Sequence, residues 1–292
     1  MTYSLVAKDP ESGALGVAVQ SHFLAVGANV PWGRAGVGVV ATQATVDRRY
    51  GARGLSLMSA GSSAAEALQA CLAADDAPET RQVGMLDATG RTAAHTGTRC
   101  WQWNAHATRD GAAAQANMVT DAAIPTAMLA AFTAAPGDFG SRLLAALNAA
   151  EALGGDLRGR QSAALLVVSG ARSDDGVLVD LRVDDHPEPL VELRRVYGVH
   201  QAFTQMLPAM RGRSCRGPVP ADPAEVDAAV AAFAAAQKEY GPSNVEPTFW
   251  QAVALHRGGR VAEASRLVAE LRAEHPGWGT LFGHVTAVQS SC

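Results

Sequence analysis

The chain has 292 residues, 48% of them hydrophobic, with 24 Lys and Arg against 28 Asp and Glu for a formal net charge of −4. That length suffices for one large domain with a sizeable core, alone or with an appendage. Slight acidity and scattered basic residues exclude the electrostatic footprint of a nucleic-acid or anionic-membrane binder, so a small-molecule substrate is expected.

Residues 2–8 (TYSLVAK) and 14–20 (ALGVAVQ) read as two strands of a hairpin, reversed at Asp9-Pro10-Glu11-Ser12-Gly13. Gly36–Thr42 reads as a buried central strand. From Gly51 to Ala74 an alanine-rich stretch with helical spacing, broken at Gly61, predicts two short helices. A second hairpin follows around Asp87-Ala88-Thr89-Gly90, and WQWNAHATRDG after it reads as a loop. Residues 121–154 predict two helices split at Ala135-Pro136-Gly137-Asp138 and ended by Gly154-Gly155. Gln161–Val168 and Gly176–Val183 make a third strand pair, followed by a helix from Pro187 to about Met206. Antiparallel strand pairs separated by helix blocks argue for two packed sheets covered by helices on both outer faces.

The Pro- and Gly-rich segment Arg211–Pro223 marks a boundary, dividing the chain into domains 1–212 and 213–292. Asp222 and Glu225 form a capping box around Pro223, starting a helix with Val226, Val230 and Phe233 on one face. The remainder is similar to one tetratricopeptide repeat, broken at Gly258-Gly259 with Ala264 at the helix crossing. A single repeat cannot bury its own face, so it is expected to pack on the preceding helix, the main domain or a second subunit. A homo-oligomer through these helices is the expected assembly.

No apolar run approaches the roughly 18 to 20 residues of a spanning helix, and the N-terminus lacks an export pattern. The expected location is the cytoplasm, with no membrane partner. Cys71, Cys100, Cys215 and Cys292 form no CxxC pair, which points to buried or incidental thiols rather than to a zinc site or disulfides. HExxH, GxSxG, P-loop and GxGxxG motifs are all missing, and no cofactor is expected.

VAVQS, VPWGRAGVGVVATQ, RRYGARGL, RQVGMLDATGRTAAHTG, QSAALLVV and VDLRVDDHPEPLVELRR together resemble a bacterial family of unknown function. That family is placed in the N-terminal nucleophile (Ntn) hydrolase superfamily, alongside proteasome subunits and glycosylasparaginases. The resemblance covers the first roughly 210 residues. It implies an α+β four-layer αββα sandwich, here followed by a small all-α domain. It also implies that Thr2, exposed by trimming of Met1, attacks a carbonyl while its own α-amine takes the proton. An α-amine has an ordinary pKa of about 7.7 to 8.0, close enough to neutrality to act as base. The proteasome's catalytic aspartate corresponds here to Gln20 or Ser21, and its lysine to Arg34. A neutral amide does not replace a carboxylate electrostatically, and an arginine stays protonated.

Each candidate residue has a plainer role beside its functional one. Gln20 and Gln43 end strands, where an amide serves either an oxyanion or strand-end satisfaction. Arg48 and Arg49 follow Asp47 and either line a carboxylate-binding mouth or form a surface ion pair. His95 is a base or a hydrogen-bonded core group. His106, with Trp101 and Trp103, reads as a pocket rim or lid. Asn117 is an oxyanion donor or a turn residue, and Asp185 is a helix N-cap or a metal or triad carboxylate. The leading expectation is an amidohydrolase cleaving a C–N bond of a small amide or ureido compound. The alternatives are a catalytically inactive binding or scaffold protein with a helical docking tail, and a hydrolase using a metal-activated water near His95 or Asp185.

Overall fold

Thr2 opens β1 (Thr2–Lys8), which pairs on one side with β2 (Leu15–Ser21) through a turn closed by Asp9, whose carboxylate accepts from Ser12 N and Oγ. The computed structural model describes residues 2–101, 103–173, 176–217 and 220–287. Met1, whose removal the expected role of Thr2 requires, and Cys292 lie outside the described residues.

A short strand absent from the sequence reading, β3 (Pro31–Arg34), pairs with β4 (Gly38–Ala44), which starts two residues later than expected. Helices α1 (Arg49–Ser59) and α2 (Ala64–Leu72) flank Gly61, and Ser63 with Glu66 closes a capping box at α2. The predicted hairpin is β5 (Arg81–Asp87) and β6 (Thr92–Thr96). The segment expected as a loop is instead a further hairpin, β7 (Ala105–Arg109) and β8 (Ala112–Asn117), turned on Asp110-Gly111 with Gly111 at φ 77. Asp-Gly is a strong two-residue turn signal, but the alanine-rich flanks hide it because alanine has poor strand propensity. Then come α3 (Ile124–Ala134), α4 (Phe139–Ala152), β9 (Ser162–Val168), β10 (Val177–Val183) and α5 (Pro189–Arg211). Asp185 does not cap α5; its carboxylate accepts from Gln161, and His186 Nδ1 accepts from Glu188 N.

The strands form a six-stranded sheet, β10-β9-β2-β1-β8-β7, and a four-stranded sheet, β3-β4-β5-β6, antiparallel throughout. The sheets pack on each other, with α3 and α4 against the larger and α1 and α2 against the smaller. Alternation along each strand sends successive side chains to opposite faces. Between the sheets, one end is apolar, built from Val6, Val17, Val39, Leu86 and Ala113. The other end is polar, holding Ser4, Gln43, Gln82, Gln115 and Asn117, all buried.

By its contacts the chain divides at Arg194/Arg195, inside α5, rather than at 212/213. The later turns of α5 belong to the second unit because Ala202 and Met206 pack there with Phe233 and Phe249. That unit continues with α6 (Arg213–Arg216), α7 (Pro223–Tyr240), α8 (Glu246–Arg257), α9 (Val261–Glu274) and an unforeseen α10 (Gly277–Ala287). Asp222 caps α7 by accepting from Ala224 N and Glu225 N. The α8 and α9 pair covers its apolar face within the unit, on α7 and α10. Among the described residues no helix is long and apolar enough to cross a membrane. Cys71, Cys100 and Cys215 are buried free thiols, and burial pushes the Cys215 thiol up to about 11.

One polar cluster ties β5 to the helices outside it. Arg81 makes a two-pronged ion pair with Asp75 (2.7 and 3.1 Å) and donates to Thr45 O, while Tyr50 OH donates to Asp75. The Arg81 guanidinium holds the Asp75 carboxyl well below the usual carboxylate range, and burial beside Asp75 pushes the Tyr50 phenol up. A folded-state pKa below the unfolded one stabilises the fold above the unfolded value and loses that stabilisation as pH falls. Asp75→Asn is therefore expected to lower stability by about 2 kcal/mol at neutral pH. In urea titrations the gap to wild type should shrink below about pH 4; a gap independent of pH would contradict this account.

Candidate active site at the Thr2 end of the sheets

Gln82 organises the polar end of the inter-sheet layer. Its Nε2 donates to the main-chain carbonyls of Ala116 (2.9 Å) and Ala105 (3.2 Å) and to Thr96 Oγ1 (3.0 Å). Carbonyl oxygens only accept, so the amide has one orientation, with Oε1 turned away from them. That oxygen accepts from Gln43 Nε2 (2.8 Å) and Asn117 Nδ2 (2.9 Å), which orients both of those amides in turn. Gln43 then donates to the Thr2 carbonyl (3.1 Å) and accepts from Ser4 Oγ (2.7 Å). The peptide unit of Thr2 is thus held from the opposite sheet by two successive amides.

Thr2 also lies between two strands, opposite Ser21 on β2 and Asn117 on β8. Its hydroxyl and that of Ser21 are 3.0 Å apart. A cavity of about 320 Å³ opens here, with Thr2, Ser21, Asn29, Asn117 and Arg158 as its polar wall. Phe23, Val26, Val30, Val46, Trp101 and Met118 supply the apolar wall. Arg158 is held by Asp156 (Nη2–Oδ2 3.3 Å), whose carboxylate also accepts from the main-chain N–H groups of His22 and Arg158.

Backbone strain gathers at the same place. The four non-glycine residues with positive φ among the described residues are Ala25 (52), Ala44 (68), Trp103 (55) and Met118 (53). Ala44 and Met118 line the cavity, and Ala25 and Trp103 lie within two residues of Val26 and Trp101. Each such residue costs on the order of 1 kcal/mol and persists only where the surroundings hold it. Such positions cluster at functional sites.

Of the residues singled out from sequence, the structure brings Thr2, Ser21, Gln43 and Asn117 together. Gln20 is not among them: it pairs with Tyr3, on the opposite face from the Thr2 and Ser21 side chains, where Tyr3 OH donates to Glu151 of α4. Gln20 is fully buried there, and among the described residues neither of its amide atoms has a hydrogen-bond partner. The hydroxyl of Ser21 occupies the place next to Thr2.

Arg34 pairs with Gly38, and its loop docks on Ser169 through Gly36 N, beyond the Val168 end of β9. Ser162, opposite Ser21, is at the other end of that strand, so Arg34 and Thr2 are at opposite ends of the sheets. Arg49 is exposed and forms the surface ion pair with Asp47 (2.6 Å). His95 pairs with Val83 on the helix-covered face of β5, and its Nε2 lies 2.9 Å from Pro78 O. His106 Nδ1 lies 2.8 Å from Thr96 Oγ1, and its pKa is lowered by burial and by His95. Among the described residues no group of three or more His, Cys, Asp or Glu is gathered as a metal site would require. Sequence reasoning missed Gln82, Ser4, Gln115, Asn29 and Arg158; a glutamine within the apolar strand RQVGMLD is the signal by which Gln82 could have been found.

Gln82→Leu takes the acceptor of Asn117 Nδ2 and one of the acceptors of Gln43 Nε2, which keeps the Thr2 carbonyl, and a buried donor left without a partner costs about 1 to 3 kcal/mol. A loss of about 1 to 3 kcal/mol in urea unfolding is expected. Unchanged stability would mean that these amides find other partners.

The chain belongs to the Family of unknown function (DUF1028), whose model matches residues 2–193. It is similar to the crystal structure of protein SPO2555 from Silicibacter pomeroyi, also assigned to DUF1028, at 32% identity and a TM-score of 0.62. That likeness covers 75% of this chain and 95% of the other. No curated protein matches.

Proposed function

We propose that this member of the DUF1028 family is an Ntn-type amidohydrolase that cleaves a C–N bond of a small amide or ureido compound, with Thr2 as nucleophile after Met1 is removed. The observation that carries the reading is the cavity at the first residue of β1, where Thr2, Ser21 and Asn117 converge. The pairing of two sheets with helices against each agrees with the four-layer αββα sandwich of that superfamily.

Once Met1 is gone, the neutral α-amine of Thr2 takes the Oγ1 proton as Oγ1 bonds to the substrate carbonyl carbon. The carbonyl π pair moves to oxygen, where Asn117 is the candidate donor: one of its amide N–H groups is committed to Gln82, and among the described residues the other has no hydrogen-bond partner. The protonated amine then gives its proton to the departing nitrogen as the C–N bond breaks, leaving an ester on Thr2. Water, deprotonated by the same amine, cleaves that ester and restores the hydroxyl. Gln43 contributes by fixing the Thr2 carbonyl, and Ser21 by orienting the nucleophilic hydroxyl.

A catalytically silent binding protein is favoured by a different observation. Among the described residues, those lining the cavity include no carboxylate and no lysine, the groups that flank the nucleophile in the proteasome. In that reading the tetratricopeptide-like helices serve docking or dimerisation.

Intact-mass measurement and a panel of small amides and ureido compounds separate the two. The enzyme reading expects a purified chain lacking Met1, turnover of at least one compound, and a loss of about a thousandfold or more in Thr2→Ala. Retained Met1 in an active preparation, or an undiminished rate in Thr2→Ala, would overturn it.

A further inference from the structure

Large apolar side chains exposed to water gather around the mouth of the Thr2 cavity. Phe23 is 53% exposed and Trp101 68%, and both line it together with the partly exposed Val46. Leu24, Trp103 and Leu157, also exposed, stand within two residues of a lining residue. Isolated exposed apolar residues are ordinary, but a group of them around a concave site marks a surface that a ligand covers. A substrate consisting only of a small polar amide would leave these rings in water.

The second observation is charge. Arg158 is the one charged side chain on the cavity wall among the described residues. Asp156 steadies its guanidinium through Nε and Nη2 at 3.4 and 3.3 Å, long contacts for an ion pair. The Asp156 carboxylate is also shared with two main-chain N–H groups at 2.9 Å. An arginine fork fixed in this way at a pocket edge suits a planar carboxylate. Size is the third constraint, because about 320 Å³ is near the lower end of small-molecule pockets and admits a single amino-acid derivative rather than a polymer.

We infer that the Thr2 cavity takes a compound carrying a carboxylate and an apolar, preferably aromatic, side chain: an N-acyl or N-carbamoyl derivative of an apolar amino acid. Arg158 receives the carboxylate, and Phe23 and Trp101 cover the side chain. Hydrolysis of that compound rests on the function proposed above, but its binding does not. In the hydrolytic case water adds across the amide or carbamoyl C–N bond, giving the free amino acid and the acid or carbamic acid.

The test is calorimetric titration of full-length Thr2→Ala, checked for folding by circular dichroism, with three probes. N-acetylphenylalanine has both features, N-acetylphenylalaninamide lacks the carboxylate, and N-acetylglycine lacks the ring. The first is expected to bind at least about tenfold more tightly than either of the others. Arg158→Gln should remove the preference for the carboxylate and keep that for the ring, whereas Phe23→Ala should do the opposite. Equal affinities for the three probes, or no measurable binding to the folded protein, would overturn the inference. Selective binding without turnover by wild type upholds it and sinks the hydrolase reading. Turnover of small neutral amides without this selectivity upholds that reading and sinks the inference.

Discussion

Gln82 reaches from the smaller sheet to two main-chain carbonyls of the larger, those of Ala105 and Ala116, and carbonyl oxygens only accept. Its amide can meet both in only one orientation. From this constraint the other amides follow: Gln43 and Asn117 must present N–H groups to Gln82, and Gln43 must then present its oxygen to Ser4. The network ends on the Thr2 carbonyl. A hairpin on one sheet and a strand on the other therefore set the position of the first residue of β1.

The layer between the sheets thus divides into two parts with different physics. Around Val6, Val17, Val39 and Leu86 it is held by burial of apolar area, which is strong but tolerant of small shifts. Around Thr2 it is held by hydrogen bonds whose geometry fixes direction as well as distance. For the nucleophile proposed at Thr2 the second kind of support matters, since an error of an ångström at a reacting group is expensive. The cost is visible nearby in four residues held at positive φ around the cavity.

Most elements were legible in the sequence because each carried its own local signal. Strand alternation, helix spacing and the breaks at Gly61, Pro136 and Gly154-Gly155 all correspond to elements and boundaries in the fold. The β7–β8 hairpin was not legible, since its alanines suit a strand only where α3 packs close against them. The place where the chain divides was obscured for a similar reason: α5 is one continuous helix whose later turns pack with α7 and α8. A proline- and glycine-rich segment marks where a chain can bend, not where its cores separate.

At the site, the sequence by itself determined that Thr2 begins a strand and that polar residues stand at the strand ends. It also determined which alternate positions share a face, although not which face meets the other sheet. Only the tertiary structure decided that Ser21 and not Gln20 adjoins Thr2, because pairing opposite Thr2 and Tyr3 sends the two neighbours to opposite faces. It likewise separated Arg34 and His95 from Thr2 by sheet length and by sheet face, and brought Arg158 in from the loop after α4. Propensity and periodicity are local and survive in one dimension. A cavity is made by segments far apart in sequence, and their meeting is set by strand register and sheet packing, which no single segment encodes.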